Sequence, residues 1–169
     1  MIYSKSKYYF LLITILCSLS CVSLSSCAND EKTVYIVKVV DGDTFDDSDG
    51  NRYRMYGIDA PEKGQPFGKT AKRFLSGMIL NKNVRIEVMN ADRYGRSVCK
   101  VYDENNNDVG AAMLKAGLAH HFRRYDDSAE YERYEVEARE QKRGLWQRPD
   151  VIEPSVWRKM SKEERDLHR

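Results

Sequence analysis

Thr44-Phe45-Asp46-Asp47-Ser48-Asp49-Gly50-Asn51-Arg52-Tyr53-Arg54-Met55-Tyr56 reads as a hairpin, and the fold follows from that reading. Asp47-Ser48-Asp49-Gly50 separates two short runs, Thr44 to Asp46 and Asn51 to Tyr56. Asp-Gly is a strong hairpin pair because Gly reaches positive φ with no Cβ to clash. Upstream, Thr33 to Val40 is rich in β-branched residues and ends at Asp41-Gly42, so a first strand feeds the hairpin. Three antiparallel strands are therefore expected before the chain passes Ile58.

Beyond Pro61 and Pro66 the period of the apolar residues changes. Ala71, Phe74, Leu75, Met78 and Ile79 fall on one face at helical spacing and predict a helix from about Phe67 to Leu80. Val84, Ile86 and Val88 alternate with Arg85 and Glu87, the pattern of a half-buried strand, and Ser97 to Tyr102 is another, followed by the polar turn Asp103 to Asn107. A second helix is expected from about Asp108 to Ala116, stopped by Gly117. A third runs from Ser128 to about Arg143, with Asp127 and Glu130 spaced as a capping box and Gly144 as its stop. Five short strands with one helix between the third and fourth predict an α+β fold: a five-stranded OB-type Greek-key β-barrel with three α-helices.

The chain has 169 residues, 41% hydrophobic and 32% charged, enough for one domain with one core. Its first 26 residues read differently: Lys5 and Lys7 precede an apolar run from Tyr8 to Cys17, the layout of a secretory signal. The alternative is a membrane-spanning anchor, since Tyr8 to Leu24 reaches the lower limit of about 17 residues for a span. Leu24-Ser25-Ser26-Cys27 resembles the lipobox of bacterial lipoproteins, which implies cleavage before Cys27, lipidation of Cys27, and export to a membrane outside the cytoplasm. The expected organisation is a signal over 1–26, a polar tether over 27–32, a domain over 33–150 and a tail over 151–169. With Cys17 and Cys21 removed, Cys99 is the only thiol in the domain, so no intramolecular disulfide can form.

Loss of Lys5 and Lys7 lowers the formal charge from +2 to zero. That argues against a protein that packages nucleic acid by bulk charge and shifts attention to local clusters. The tail carries Trp157, Pro154 and the charged run Lys162 to Asp166. Trp146 is expected to pack on the domain, and the last eight residues to form a frayed helix or no structure.

Three clusters carry chemistry. Arg54-Met55-Tyr56-Gly57-Ile58-Asp59-Ala60-Pro61-Glu62 puts a guanidinium and two carboxylates within nine residues. Asp41-Gly42-Asp43-Thr44 is by itself an ordinary turn. If the first and third strands are neighbours, however, Asp43 and Asp59 reach one point, and their hard oxygens suit Ca²⁺ or Mg²⁺ rather than Zn²⁺. Asp92-Arg93-Tyr94-Gly95-Arg96 adds a second guanidinium; a lone Arg there would more often be a surface ion pair. Two permanently charged forks and a divalent cation make a clamp for a phosphodiester as negative charge builds on it.

Val40-Asp41-Gly42-Asp43-Thr44, Arg54 through Glu62, Asp92-Tyr94-Gly95-Arg96, Gly117-Leu118-Ala119 and Gly144-Leu145-Trp146 resemble the staphylococcal nuclease (thermonuclease) family, in order and at compatible spacing. The resemblance covers Thr33 to Trp146 and implies a Ca²⁺-dependent endonuclease that cleaves DNA and RNA to 3′-phosphate products. It implies Asp43, Asp59 and the Ala60 backbone carbonyl as Ca²⁺ ligands, with Asp41 shaping the site from the next shell out. It further implies Glu62 as the residue that activates or orients water, Arg54 and Arg96 as the phosphate clamp, and Arg93, Tyr94 and Tyr125 as substrate contacts. Ala60 stands where the family has Thr, the loop Lys63 to Phe67 is shorter than the family's, and Arg123 replaces a tyrosine, exchanging base stacking for a phosphate contact. A monomer is expected.

Other signals have simpler readings. Adjacent His120 and His121 point to opposite faces of a strand and cannot chelate one metal. Asp46 to Gly50 fails the EF-hand spacing. Tyr131, Tyr134 and Ala138 form a core stripe, and Cys99 is a buried thiol. The competing functions are an OB-fold module that binds nucleic acid or protein without cleaving, and an envelope lipoprotein with a structural task.

Overall fold

The computed structural model describes residues 30–168; the expected signal segment and the expected lipidation at Cys27 lie outside the described residues. Strands β1 (Asp30–Val39), β2 (Thr44–Asp47) and β3 (Arg52–Met55) form the antiparallel run, with Val39 opposite Phe45 and Thr44 opposite Arg54. Asp47 staples the hairpin: its carboxylate accepts from the Asn51 amide at 2.8 Å and from the Tyr53 hydroxyl at 2.8 Å. β1 opens at Asp30, ahead of the β-branched run, because Asp30 to Lys32 pair with Val88, Glu87 and Ile86.

A two-residue strand β4 (Ile58–Asp59) follows, then helix α1 (Gly68–Ile79), β5 (Asn83–Ala91) and β6 (Ser97–Tyr102). The strands close into a barrel in the order β1-β2-β3-β6-β5. β6 lies parallel to β3, a pairing the run of hairpins did not announce. The α1 crossover makes it possible, since parallel neighbours need a long connection. Ile36, Phe45, Tyr53, Leu75, Ile79, Ile86, Met113 and Leu114 fill the core. α1 contributes Ala71, Leu75 and Ile79 to it, while Phe74 at the edge of the expected stripe is exposed.

Helix α2 (Val109–Lys115) is capped by Asp108, which accepts from the Ala111 amide at 3.0 Å. Helix α3 (Ala129–Glu140) is capped by Ser128 accepting from the Tyr131 amide, not by Asp127, and it stops at Glu140, short of Arg143. The hydroxyl one residue later takes the cap because it, and not the Asp127 carboxylate, reaches the orphan amide. Between α2 and α3, β7 (His120–His121) pairs with β4, placing Asp59 opposite His120. Both histidines are buried: His121 Nε2 lies 2.9 Å from Asp126 Oδ2, and His120 packs edge-on against Trp146. The Cys99 thiol is buried in the barrel, and burial pushes it up to about 12, so it is inert.

The tail is structured. A single 3-10 turn (Gly144–Gln147) buries Leu145 and Trp146, and two short helices follow, α4 (Pro154–Trp157) and α5 (Lys162–Asp166). A capping box between Ser161 and Glu164 starts α5, and Trp157, 2% exposed, plugs the tail onto the domain.

Candidate active site

Asp43 is delivered by the tight turn between β1 and β2. The Asp41 carboxylate accepts from the Asp43 amide at 3.1 Å, and the Val40 amide donates to the Thr44 carbonyl at 2.8 Å, so the turn aims Asp43 inward. Gly42 is required by contact: a Cβ there would sit 2.6 Å from the Ala60 Cβ and 2.9 Å from the Ala71 Cβ. Asp43 Oδ1 accepts from Arg54 Nη1 at 2.8 Å and from the Thr44 hydroxyl at 2.9 Å, and Oδ2 accepts from the Ala60 amide at 2.9 Å. Ala60 thus meets Asp43 through its N–H, the half of its backbone that the sequence reading did not assign.

Arg54, on β3 directly beside Thr44, reaches the other acid too, donating from Nη2 to Asp59 Oδ1 at 2.6 Å. One planar fork therefore holds two nearly fully buried carboxylates, one from the β1–β2 turn and one from β4, the two-pronged geometry that Arg supplies and Lys does not. Asp59 is fixed by the β4–β7 ladder, and Pro61 carries the chain on to Glu62. The Glu62 amide donates to Gln65 Oε1 at 3.0 Å, the Gln65 amide donates back to the Glu62 carbonyl at 3.0 Å, and Gln65 Nε2 donates to the Ile152 carbonyl at 2.6 Å. Buried Gln65 thereby ties the Glu62 loop to the tail.

The tail returns a third guanidinium to this place. Arg158 donates from Nη2 to Asp59 Oδ2 at 3.0 Å, from Nη1 to Asp59 Oδ1 at 3.2 Å, and from Nη1 to Glu62 Oε1 at 2.5 Å. Neither Arg158 nor Gln65 was singled out from the sequence. The available signal was Trp157 beside Pro154, a large apolar residue that a free tail has no reason to carry.

Electrostatics mark the cluster as short of positive charge. Burial, opposed by Arg54 and reinforced by Asp41 and Asp59, pushes the Asp43 carboxyl up to about 7. Burial alone would lower Arg54, yet Asp43 and Asp59 hold its guanidinium above its usual value. Four carboxylates, Asp41, Asp43, Asp59 and Glu62, face two guanidiniums, an excess of two negative charges when all are ionised. A hard divalent cation fits that donor set. Among the described residues no three acidic, His or Cys side chains form a ready-made metal cage, so a cation here would draw on two carboxylates completed by backbone and water.

Among the described residues, the remaining expected ones form no hydrogen bond or ion pair with this knot. Arg96, just ahead of β6, gives its Nε to Asp92 at 2.7 Å. The register of β6 against β3 places it level with Arg52 rather than Arg54. Arg93 stacks its guanidinium 4.8 Å from the centre of the Tyr94 ring, and Tyr94 is 69% exposed. Tyr125 is 57% exposed, with the Tyr56 hydroxyl donating to its carbonyl. Arg123, more than half exposed, is paired with Glu132 at 3.2 Å and Glu135 at 3.6 Å on α3.

Residues 52–148 match the family described as staphylococcal nuclease homologue. Over 143 residues the chain is 37% identical to a protein of Haemophilus influenzae named an uncharacterized endonuclease, covering 82% of this chain and 80% of that one. Over 141 residues it is 37% identical to a protein of Shigella flexneri named micrococcal nuclease, covering 75% and 80%. A third relative, Protein ParB of Escherichia coli, is 38% identical over 144 residues, covering 78% and 81%. With a closed five-stranded barrel, an arginine bridging two buried acids and this extent of identity, the chain belongs to the staphylococcal nuclease family.

Proposed function

We propose that this nuclease is a Ca²⁺-dependent endonuclease that hydrolyses phosphodiester bonds of DNA and RNA to 3′-phosphate products, acting as a monomer. We further propose that it works outside the cytoplasm, anchored by lipid at Cys27. The observation that carries the catalytic reading is the Arg54 fork across Asp43 and Asp59 with Glu62 alongside.

Asp43, Asp59 and the Ala60 carbonyl would hold the cation, with Asp41 acting through water; when bound, Ca²⁺ supplies charge that polarises the phosphate and eases delivery of water. The residues do the rest. Arg54 grips the phosphate oxygens while steadying both acids. Arg96 swings from Asp92 to the opposite side of the phosphate, replacing one charge-assisted pair by another. Glu62, one-third exposed and facing the cluster, orients the attacking water and takes its proton. Tyr94, Arg93 and Tyr125 offer rings and a cation to flanking nucleotides.

The test is digestion of end-labelled DNA and RNA by the full chain with Ca²⁺ or with a chelator, followed by ligation of the products. The reading expects chelator-sensitive cleavage and fragments that ligate only after the 3′-phosphate is removed and the 5′-hydroxyl is phosphorylated. Binding without cleavage would leave a nucleic-acid-binding module, and ligatable ends would overturn the assigned polarity of hydrolysis.

A further inference from the structure

Arg158 is separated from Asp59 by 99 residues, yet it makes three hydrogen bonds to the acids of the site. Its place is built. Trp157 is buried beside it, Arg165 Nε donates to the Trp157 carbonyl at 3.0 Å, and Arg165 Nη2 donates to the Arg158 carbonyl at 3.1 Å. Gln65 joins the same tail at Ile152 to the loop that carries Glu62. The acceptors differ from those of an ordinary surface pair. The Asp59 side chain is 4% exposed, so one end of the contact is desolvated and geometrically fixed, while the Arg158 side chain at 41% still opens to solvent. A fork that is bidentate on Asp59 and shares Nη1 with Glu62 sets the distance and orientation between the two carboxylates.

Resting on the nuclease reading, we propose that Arg158 is a positioning residue for phosphodiester cleavage: the docked tail supplies a guanidinium that holds Glu62 against Asp59 in the geometry that delivers water. Orientation carries weight in such sites, since a misplacement of about 1 Å can cost about 10²-fold in rate. Arg158 also occupies both oxygens of Asp59, an acid that would hold the cation, and its charge opposes that cation. Its removal should therefore tighten cation binding while slowing the chemistry. Loosened structure would weaken both.

The experiment compares the full chain with Arg158→Ala, Arg158→Lys, Glu62→Gln and the double variant Glu62→Gln with Arg158→Ala, reading kcat and KM on DNA, thermal melting, and Ca²⁺ affinity by calorimetry. Arg158→Ala is expected to lose about tenfold or more in kcat with KM within about twofold. Its melting temperature should stay within a few degrees of wild type, and Ca²⁺ should bind several-fold more tightly. Arg158→Lys, a point charge without the fork, should recover part of the rate. In the Glu62→Gln background the loss from Arg158→Ala should shrink to about twofold, because the residue acts through Glu62. Unchanged or raised kcat in Arg158→Ala, weaker Ca²⁺ binding, or full additivity with Glu62→Gln would overturn the positioning role while leaving the nuclease reading intact. A wild-type chain that binds Ca²⁺ and cleaves nothing would overturn the nuclease reading, and the positioning role with it.

Discussion

Asp43 concentrates the cost of this site in one carboxyl. Its ordinary value is 3.8, and in the folded chain without a cation it rises to about 7. A raised folded value means that the unfolded chain gives up the proton first. Stability is then fully present below the unfolded value, falls as pH rises between the two values, and is flat above the folded one. The cation-free protein should therefore lose stability from about pH 4 to about pH 7 through this group. Asp43→Asn should flatten that slope and raise the melting temperature at pH 8 by about 5 °C or more, as followed by circular dichroism in chelator; an equal or lower melting temperature would show that the buried charge is already compensated. Glu62 carries a different expectation: Glu62→Gln should lower turnover by about 10²-fold or more while nucleic acid binding stays nearly intact, the size expected of a general acid or base. Turnover and a gel-shift assay separate the two quantities. At this scale, Arg54, Asp59 and Glu62 could be read together because they lie within nine residues, and Asp43 because it sits in a turn that the hairpin brings beside Arg54. Arg158 could not, since 96 residues separate it from Glu62 and no local pattern links them.

Elements position the site through close approach as much as through hydrogen bonds. The β1–β2 turn lies against Ala60 and α1 only because Gly42 has no side chain. Gly42→Ala should destabilise by about 1–3 kcal/mol, the range for overpacking, and should reduce cleavage because Asp43 moves with the turn. Thermal melting checks the first, and cleavage at a temperature where the variant is folded checks the second. The hairpin around Gly50 and the helix α1 were readable because turn chemistry and apolar period are local properties. The cap of α3 was misplaced by one residue, from Ser128 to Asp127, because three adjacent capping types leave the choice to backbone direction. The parallel β3–β6 pairing was hidden for another reason: it is set where the chain returns after α1, and no pattern within either strand records it.

The whole molecule is a barrel on which distant segments converge: the first turn, the β3–β4 corner and the tail all end on Asp59 or on a neighbour bonded to it. The tail's role follows from this convergence. Gln65→Ala, which frees the Ile152 carbonyl and the Glu62 amide at once, should slow cleavage more than it lowers stability, with kcat and melting temperature as the paired readouts. Counted from Cys27 the chain is formally neutral, so net charge gives nucleic acid no long-range pull toward it. The most direct measurement is a time course of DNA cleavage by the full chain in Ca²⁺, with chelator added midway. The account predicts steady cleavage that stops on addition and resumes when Ca²⁺ is restored. Cleavage that continues through the chelator, or none in Ca²⁺, would contradict it.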